Sequence, residues 1–148
     1  MSMKVIKDLS MVHPLLQAAH SKIQEQVISK HNAPFRLFET GRDHARHQTL
    51  IMKGRTKDVL SRHLYDLEND PPLYCTALDY VYFGTEWSWN LRNAVTFHWY
   101  TLFGQMVLNV CPELEWAGLN RKCTNFNHFT LRRDIIIDNI DTISCVVP

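Results

Sequence analysis

Two histidines and one aspartate, His63, Asp79 and His128, stand at the ends or in the apolar interiors of segments with strand character. Side chains of these types can hold a divalent cation and leave a fourth position for water, the build of a catalytic zinc site; structural zinc is normally closed by four ligands rich in cysteine. Zinc held that way lowers the pKa of its water toward about 7 and polarises a carbonyl, which suits amide hydrolysis. Asp79 interrupts the apolar run Thr76 to Phe83 (TALDYVYF), where a carboxylate is costly to bury unless a cation or a hydrogen-bond network receives it. On spacing alone it is either a site residue or a strand-end cap, and the trio can also be three unrelated polar residues. His98, inside a helical run, reads as a core or rim histidine rather than a ligand. Cys75, Cys111, Cys123 and Cys145 form no C-x-x-C pair and read as reduced, buried small hydrophobes rather than as a thiolate zinc knuckle or a disulfide framework.

The elements that must position these residues follow from periodicity. Leu15, Leu16, Ala19, Ile23 and Val27 recur at intervals of three and four, which predicts a helix from His13 to His31 with one buried stripe. Asn32, Ala33 and Pro34 end it, and Phe35-Arg36-Leu37-Phe38 alternates as a strand. After Thr40-Gly41, a helix from Asp43 to Lys53 is favoured by Asp43 at its N-terminus and Gly54 as C-cap. The acidic stretch Tyr65 to Pro72 is a surface loop, and Thr76 to Phe83 a strand. Leu91, Val95, Leu102, Met106 and Val110 trace a long helix, stopped by Pro112. Leu114 to Trp116 and Asn127 to Leu131 read as short strands, with a further one at Ile135-Ile136-Ile137. Helices grouped against a small, mainly antiparallel sheet make an α+β domain with the candidate site at the sheet.

Composition sets the limits. With 148 residues, 45% hydrophobic and 21% charged, 5 Gly and 6 Pro, the chain fits one domain with a real core and excludes disordered or collagen-like classes. Sixteen basic against fifteen acidic residues give +1, which argues against a general nucleic-acid binder. The apolar runs are too short to span a bilayer and MSMKVIKDLS has no signal-peptide core, so a soluble protein made in the cytosol is expected.

A resemblance covering roughly Val12 to Leu131 sharpens this. The chain resembles the zinc D,D-carboxypeptidase and L-alanyl-D-glutamate endopeptidase family of peptidoglycan peptidases, particularly single-domain bacteriophage endolysins. His13-Pro14-Leu15-Leu16 matches that family's His-Pro-x-Leu helix start, and Glu39-Thr40-Gly41-Arg42 its Glu-Gly-x-Arg strand end, with Gln48, Leu50 and Gly54 fitting the next helix. The core pattern S-x-H-x-x-G-x-A-x-D is split here between Ser61-Arg62-His63 and Cys75-Thr76-Ala77-Leu78-Asp79. The ligand pair is therefore 16 positions apart rather than seven, an insertion that a surface loop tolerates at little entropic cost. Asp70, seven after His63, is the rival ligand, rejected because it precedes Pro71-Pro72 in a polar turn, whereas Asp79-Tyr80 leads on to Gly84 and Trp87-Ser88-Trp89. Glu115-Trp116-Ala117-Gly118 and His128-Phe129-Thr130-Leu131 complete the match.

The resemblance implies a zinc site of His63, Asp79 and His128, a stem-peptide carboxylate gripped by Arg42, and Glu39 orienting Arg42 or a histidine. Without it, Arg42 reads as an ordinary surface salt bridge. Tyr80, Tyr82, Trp87 and Trp89 either line a sugar or peptide groove or pack in the core. The family places an acid three positions before the last histidine, where it moves the reacting protons. This chain has Asn125 there, and an amide cannot exchange a proton at neutral pH. Either Glu113 or Glu115 replaces the acid, or the chain is a silent zinc- or peptidoglycan-binding relative, or an aspartate has been changed to trap substrate. Cys75 in place of a glycine, and Leu119 or Asn120 in place of an aspartate, are further departures. The expectation is a monomeric endolysin, residues 1–148 forming one peptidase-like domain with 132–148 as an extension. It is held in the host bacterial cytoplasm until released to the wall, cuts stem peptides, and needs neither nucleic acid nor membrane insertion.

Overall fold

In the computed structural model the described residues are 5–55, 61–85, 87–120 and 125–136. Helix α1 (Pro14–Lys22) starts where His13 Nδ1 accepts the Leu15 amide, with Pro14 at the first helical position, where no amide is needed. It continues without a break as a π-helical stretch, Ile23–Ser29, within the span where the apolar spacing predicts a helix. The intervals of four from Ala19 to Ile23 to Val27 suit 3.6 and the wider π turn equally, so all three side chains stay buried through the change. Asn32 ends the segment at φ 48°, a left-handed position that asparagine tolerates.

The remaining elements are β1 (Phe35–Glu39), α2 (His44–Met52), β2 (Ala77–Phe83), β3 (Trp87–Ser88), α3 (Ala94–Val110), β4 (Leu114–Trp116), a 3₁₀ turn at Ala117–Leu119 and β5 (His128–Leu131). They form an α+β fold with one antiparallel sheet in the order β1-β2-β5-β4, β3 pairing with β2. Side chains of a strand alternate between faces. Leu78 and Tyr80 of β2 therefore join the core under α1 and α3, while Asp79 between them faces the other way. A bulge between Leu37 and Glu39 shifts the β1 register, so that Leu37 opposes Tyr80 but Glu39 opposes Asp79. One extra residue thus swings Glu39 from the core side to the Asp79 side.

Helix α3 takes a core face that its spacing does not single out. It begins at Ala94, capped by the Asn93 carboxamide, which accepts the amides of Val95 and Thr96. Its buried side is Thr96, Tyr100, Phe103, Gly104 and Val107; of the residues that traced the helix, Leu91, Met106 and Val110 are partly buried against the core, while Val95 is 59% exposed and Leu102 37%. The helix is apolar on nearly every side, so spacing alone could not choose its core face. Aromatic packing does: Phe103 stacks on Phe35 at 4.0 Å between ring centres and meets Tyr80 and Phe129 edge-on. His98 is exposed on the outer side of the same helix. Ile135 and Ile136 correct an expectation, since residues 133–136 are helical rather than a strand; Ile137, Cys123 and Cys145 lie outside the described residues. Cys75 and Cys111 are free and buried, their thiols pushed up by burial to about 12 and about 11, so neither is a thiolate at neutral pH. No described helix is long and apolar enough to cross a membrane.

The Trp116 indole lies against Gly104 of α3 and Gly118, where a Cβ on either glycine would enter the ring. Its Nε1–H donates to the Phe126 carbonyl at 2.8 Å, fixing the turn that leads into His128. Gly104→Ala is therefore expected to destabilise by about 1–2 kcal/mol, because overpacking against a rigid ring outweighs the better helix propensity of alanine. A lowered urea midpoint at unchanged slope is the readout, and an unchanged or raised midpoint would show that the ring moves freely.

Candidate metal centre

The register of β2 against β5 pairs Asp79 with His128, which sets their side chains side by side on the face turned away from the core. His63 reaches the same point from the segment after α2. Its carbonyl accepts the Arg42 amide at 2.7 Å, its amide donates to Ser61 Oγ, and the Arg62 carbonyl accepts the Thr76 amide. Arg62 tightens this seam, its guanidinium donating to Thr76 Oγ1 at 2.6 Å and to the Leu131 carbonyl. The splitting of the motif by the Tyr65–Pro72 loop therefore costs the site nothing: His63 is placed by its neighbours in space, and Asp70 sits exposed in that loop.

His63 is 2% exposed, and its Nδ1 donates to the Thr40 carbonyl at 2.9 Å, which leaves Nε2 aimed at the partners. Nε2 lies 3.2 Å from Asp79 Oδ1 and 3.3 Å from His128 Nδ1, and His128 Nδ1 lies 2.8 Å from Asp79 Oδ1. These three form a group able to hold a metal ion. Donors bound tetrahedrally at about 2.0–2.1 Å lie about 3.3 Å from one another, so two of the three separations already have the size of a zinc site's edge. The set of two imidazoles and a carboxylate also fits zinc chemically, with a fourth position open to the cavity. Burial raises the cost of the Asp79 charge, yet His63 and His128 hold its carboxyl far below the usual range. Burial likewise disfavours a charged His63, but Asp79 more than reverses this and raises its pKa.

The group opens on a cavity of about 410 Å³ whose wall also includes Arg42, Arg55, Asn125 and Arg133. A neighbouring hollow of about 380 Å³ shares Arg55, Asn125 and Asn127 and continues to Trp89 and Leu91. Of the residues singled out from sequence, Arg42 and Asn125 line the cavity. Glu113 and Glu115 do not, Glu113 pairing loosely with Lys22 at 3.9 Å and Glu115 facing solvent on β4. Among the described residues Asp79 is the single carboxylate in the wall. Tyr80 is a core residue, its hydroxyl 2.6 Å from His20 Nδ1, and Tyr82 packs on Phe35. Trp87 and Trp89 stay 42% and 45% exposed beside Phe38, and only Trp89 reaches the groove. Nothing in the spacing of Arg46, Arg55 and Arg133 marks them, and Arg62 is signalled only by standing inside Ser61-Arg62-His63.

Glu39 accepts from Arg42 Nε at 2.9 Å and Nη2 at 3.3 Å and from Arg46 Nε at 3.0 Å, all but sealed from solvent. Burial pushes its carboxyl up, but the two guanidinium groups outweigh that and lower it. A depressed carboxylate contributes stability above its unfolded pKa of about 4.3 and loses it as pH falls through the folded value. Glu39→Gln is thus expected to cost about 3 kcal/mol at pH 7, the scale for breaking a buried ion pair, and much less at pH 3. Urea unfolding at both pH values tests this; an equal penalty at pH 3 would mean that packing rather than charge is at stake.

No family model matches the chain, and no curated protein matches it in sequence. In structure it is similar to the L-Ala D-Glu endopeptidase ChiX of Serratia marcescens, with a TM-score of 0.65 and 23% identity over 91% of this chain and 92% of that one. At that identity the likeness is one of fold.

Proposed function

We propose that the chain is a zinc-dependent peptidase that hydrolyses an amide bond in bacterial peptidoglycan stem peptides, with His63, Asp79 and His128 as the metal ligands. The observation that carries this reading is the convergence of those three donors, at ligand spacing, on the wall of a polar cavity in a fold shared with a peptidoglycan endopeptidase. Zinc would supply a water acidic enough to attack at neutral pH and an electrophile for the scissile carbonyl. Thr40 and the β2–β5 pairing fix the ligand side chains, and Glu39 holds Arg42 so that its remaining N–H groups can meet a substrate carboxylate. The endolysin setting, with storage in the host cytoplasm, action as a monomer and residues 1–148 as one domain, belongs to this proposal and rests on the sequence resemblance.

One observation favours a second reading. With Asn125 where the resembled family has an acid, and Asp79 the single carboxylate among the described wall residues, the site has poor means of moving protons. On that reading the protein binds zinc and wall peptide with little turnover. Mass spectrometry of peptidoglycan incubated with the purified protein, with and without a zinc chelator, separates the two. New chelator-sensitive stem-peptide fragments establish hydrolysis and identify the bond. Intact wall with zinc still bound moves the assignment to the silent relative, and intact wall with no zinc uptake removes both.

A further inference from the structure

The chain carries 16 basic and 15 acidic residues, yet four of its arginines, Arg42, Arg55, Arg62 and Arg133, line one cavity in which the described residues place one carboxylate. Two of the four are occupied. Arg42 is bound to Glu39, and Arg62 is spent on Thr76 Oγ1 and the Leu131 carbonyl. Among the described residues the guanidinium groups of Arg55 and Arg133 have no hydrogen-bond or ion-pair partner, and both residues are exposed. Asp79, the single acid among the described wall residues, is engaged by His63 and His128. A bound divalent metal would add to the positive surplus, and a single carboxylate on Arg42 would leave most of it unanswered.

We infer that Arg55 and Arg133 form a second anion-binding subsite, which selects peptides carrying a second free carboxylate besides the one met by Arg42. The inference deepens the proposed function and rests on the cavity being a peptide site. Arg55 also borders the neighbouring hollow that runs to Trp89, so a peptide lying from one hollow into the other would pass its carboxylates along this pair. Guanidinium–carboxylate pairing favours the diacid over its monoamide by about tenfold or more.

Titration calorimetry on the full chain in chelator, so that nothing is hydrolysed, decides it. Three probes serve: a synthetic stem peptide with both carboxylates free, the same peptide with one of them amidated, and the simple dicarboxylate glutarate. The wild type is expected to bind the diacid about tenfold tighter than the monoamide. Replacing both arginines (R55Q/R133Q) should erase that preference and leave monoamide affinity unchanged, while R55K/R133K recovers part of it. A preference that survives in R55Q/R133Q, or none in the wild type, overturns the inference. If neither peptide binds but glutarate binds the wild type and not R55Q/R133Q, the subsite stands and the stem-peptide reading falls. If no probe binds, both fall.

Discussion

Asn125→Asp is expected to raise kcat on a stem-peptide substrate by about 10²–10⁴-fold, the usual contribution of a positioned general acid–base. Asn125 and His128 share the cavity wall, and the His128 amide donates to the Asn125 carbonyl at 3.2 Å, so the turn before β5 fixes their separation. Aspartate has the shape of asparagine, and the position is exposed, so the exchange should cost the fold little. What changes is chemistry: a carboxylate can take a proton from water and return it to a leaving amine, which a carboxamide cannot. The gain should appear in kcat with KM almost unchanged, because the group acts on the transition state. A new acid limb in the pH–rate profile should accompany it. Asn127→Asp is the control, a second amide of the same cavity that should bring no such gain. A kcat that stays flat in Asn125→Asp would show that position 125 does not face the reacting atoms.

The parts of this site that could be seen in the sequence are those carried by strands. TALDYVYF announces both a strand and an anomaly within it, and period-two alternation is enough to turn Asp79 away from Leu78 and Tyr80. The short run His128–Leu131 then needs only the right register to lie beside it, and Asp79 opposite His128 is that register. Helix α3 was legible as a helix but not in its orientation. Val95, Phe97 and Leu102 are apolar and exposed, and only the aromatic stack from Phe35 to Phe103 decides which side is core. The π-helical stretch hid because a stripe spaced by four fits both geometries. Ile135 and Ile136, strand formers by composition, are helical, which shows how weakly local propensity binds a short segment.

The arginines were invisible for a different reason. Arg46 lies in the first turn of α2, Arg55 just past that helix's end and Arg133 after β5, so no local spacing connects them. Arg46 is drawn to Glu39 beside Arg42 on the Asp79 side of the β1 bulge, and Arg62 is held against the sheet at Thr76 and Leu131, while Arg55 and Arg133 reach the same cavity wall from separate segments. A charge pattern that closes only in three dimensions leaves no periodic trace. The near-neutral whole chain gives no hint of it, since averaging over 148 residues conceals a local surplus.

His63→Ala should lower zinc affinity by more than about 100-fold and reduce hydrolysis to background. Changes to groups that merely orient a metal ligand cost about 10–100-fold, and here one of three donors is deleted outright. His63 is also the most deeply set of the three, its Nδ1 tied to Thr40 and its Nε2 held against Asp79 and His128, so no neighbour can take its place. The deletion leaves the Asp79 carboxylate with one imidazole in a nearly sealed position, which itself destabilises the fold. Asp79→Asn therefore serves as the companion variant: it keeps the shape and removes the charge that draws a cation. Zinc content measured on folded protein should fall from one per chain to near zero in both, while His98→Ala, on the exposed side of α3, retains the metal. A His63→Ala protein that keeps full zinc and full hydrolysis would place the chemistry elsewhere. A folded Asp79→Asn protein that still binds zinc as tightly would show that the carboxylate's role is to hold the two histidines, not the metal.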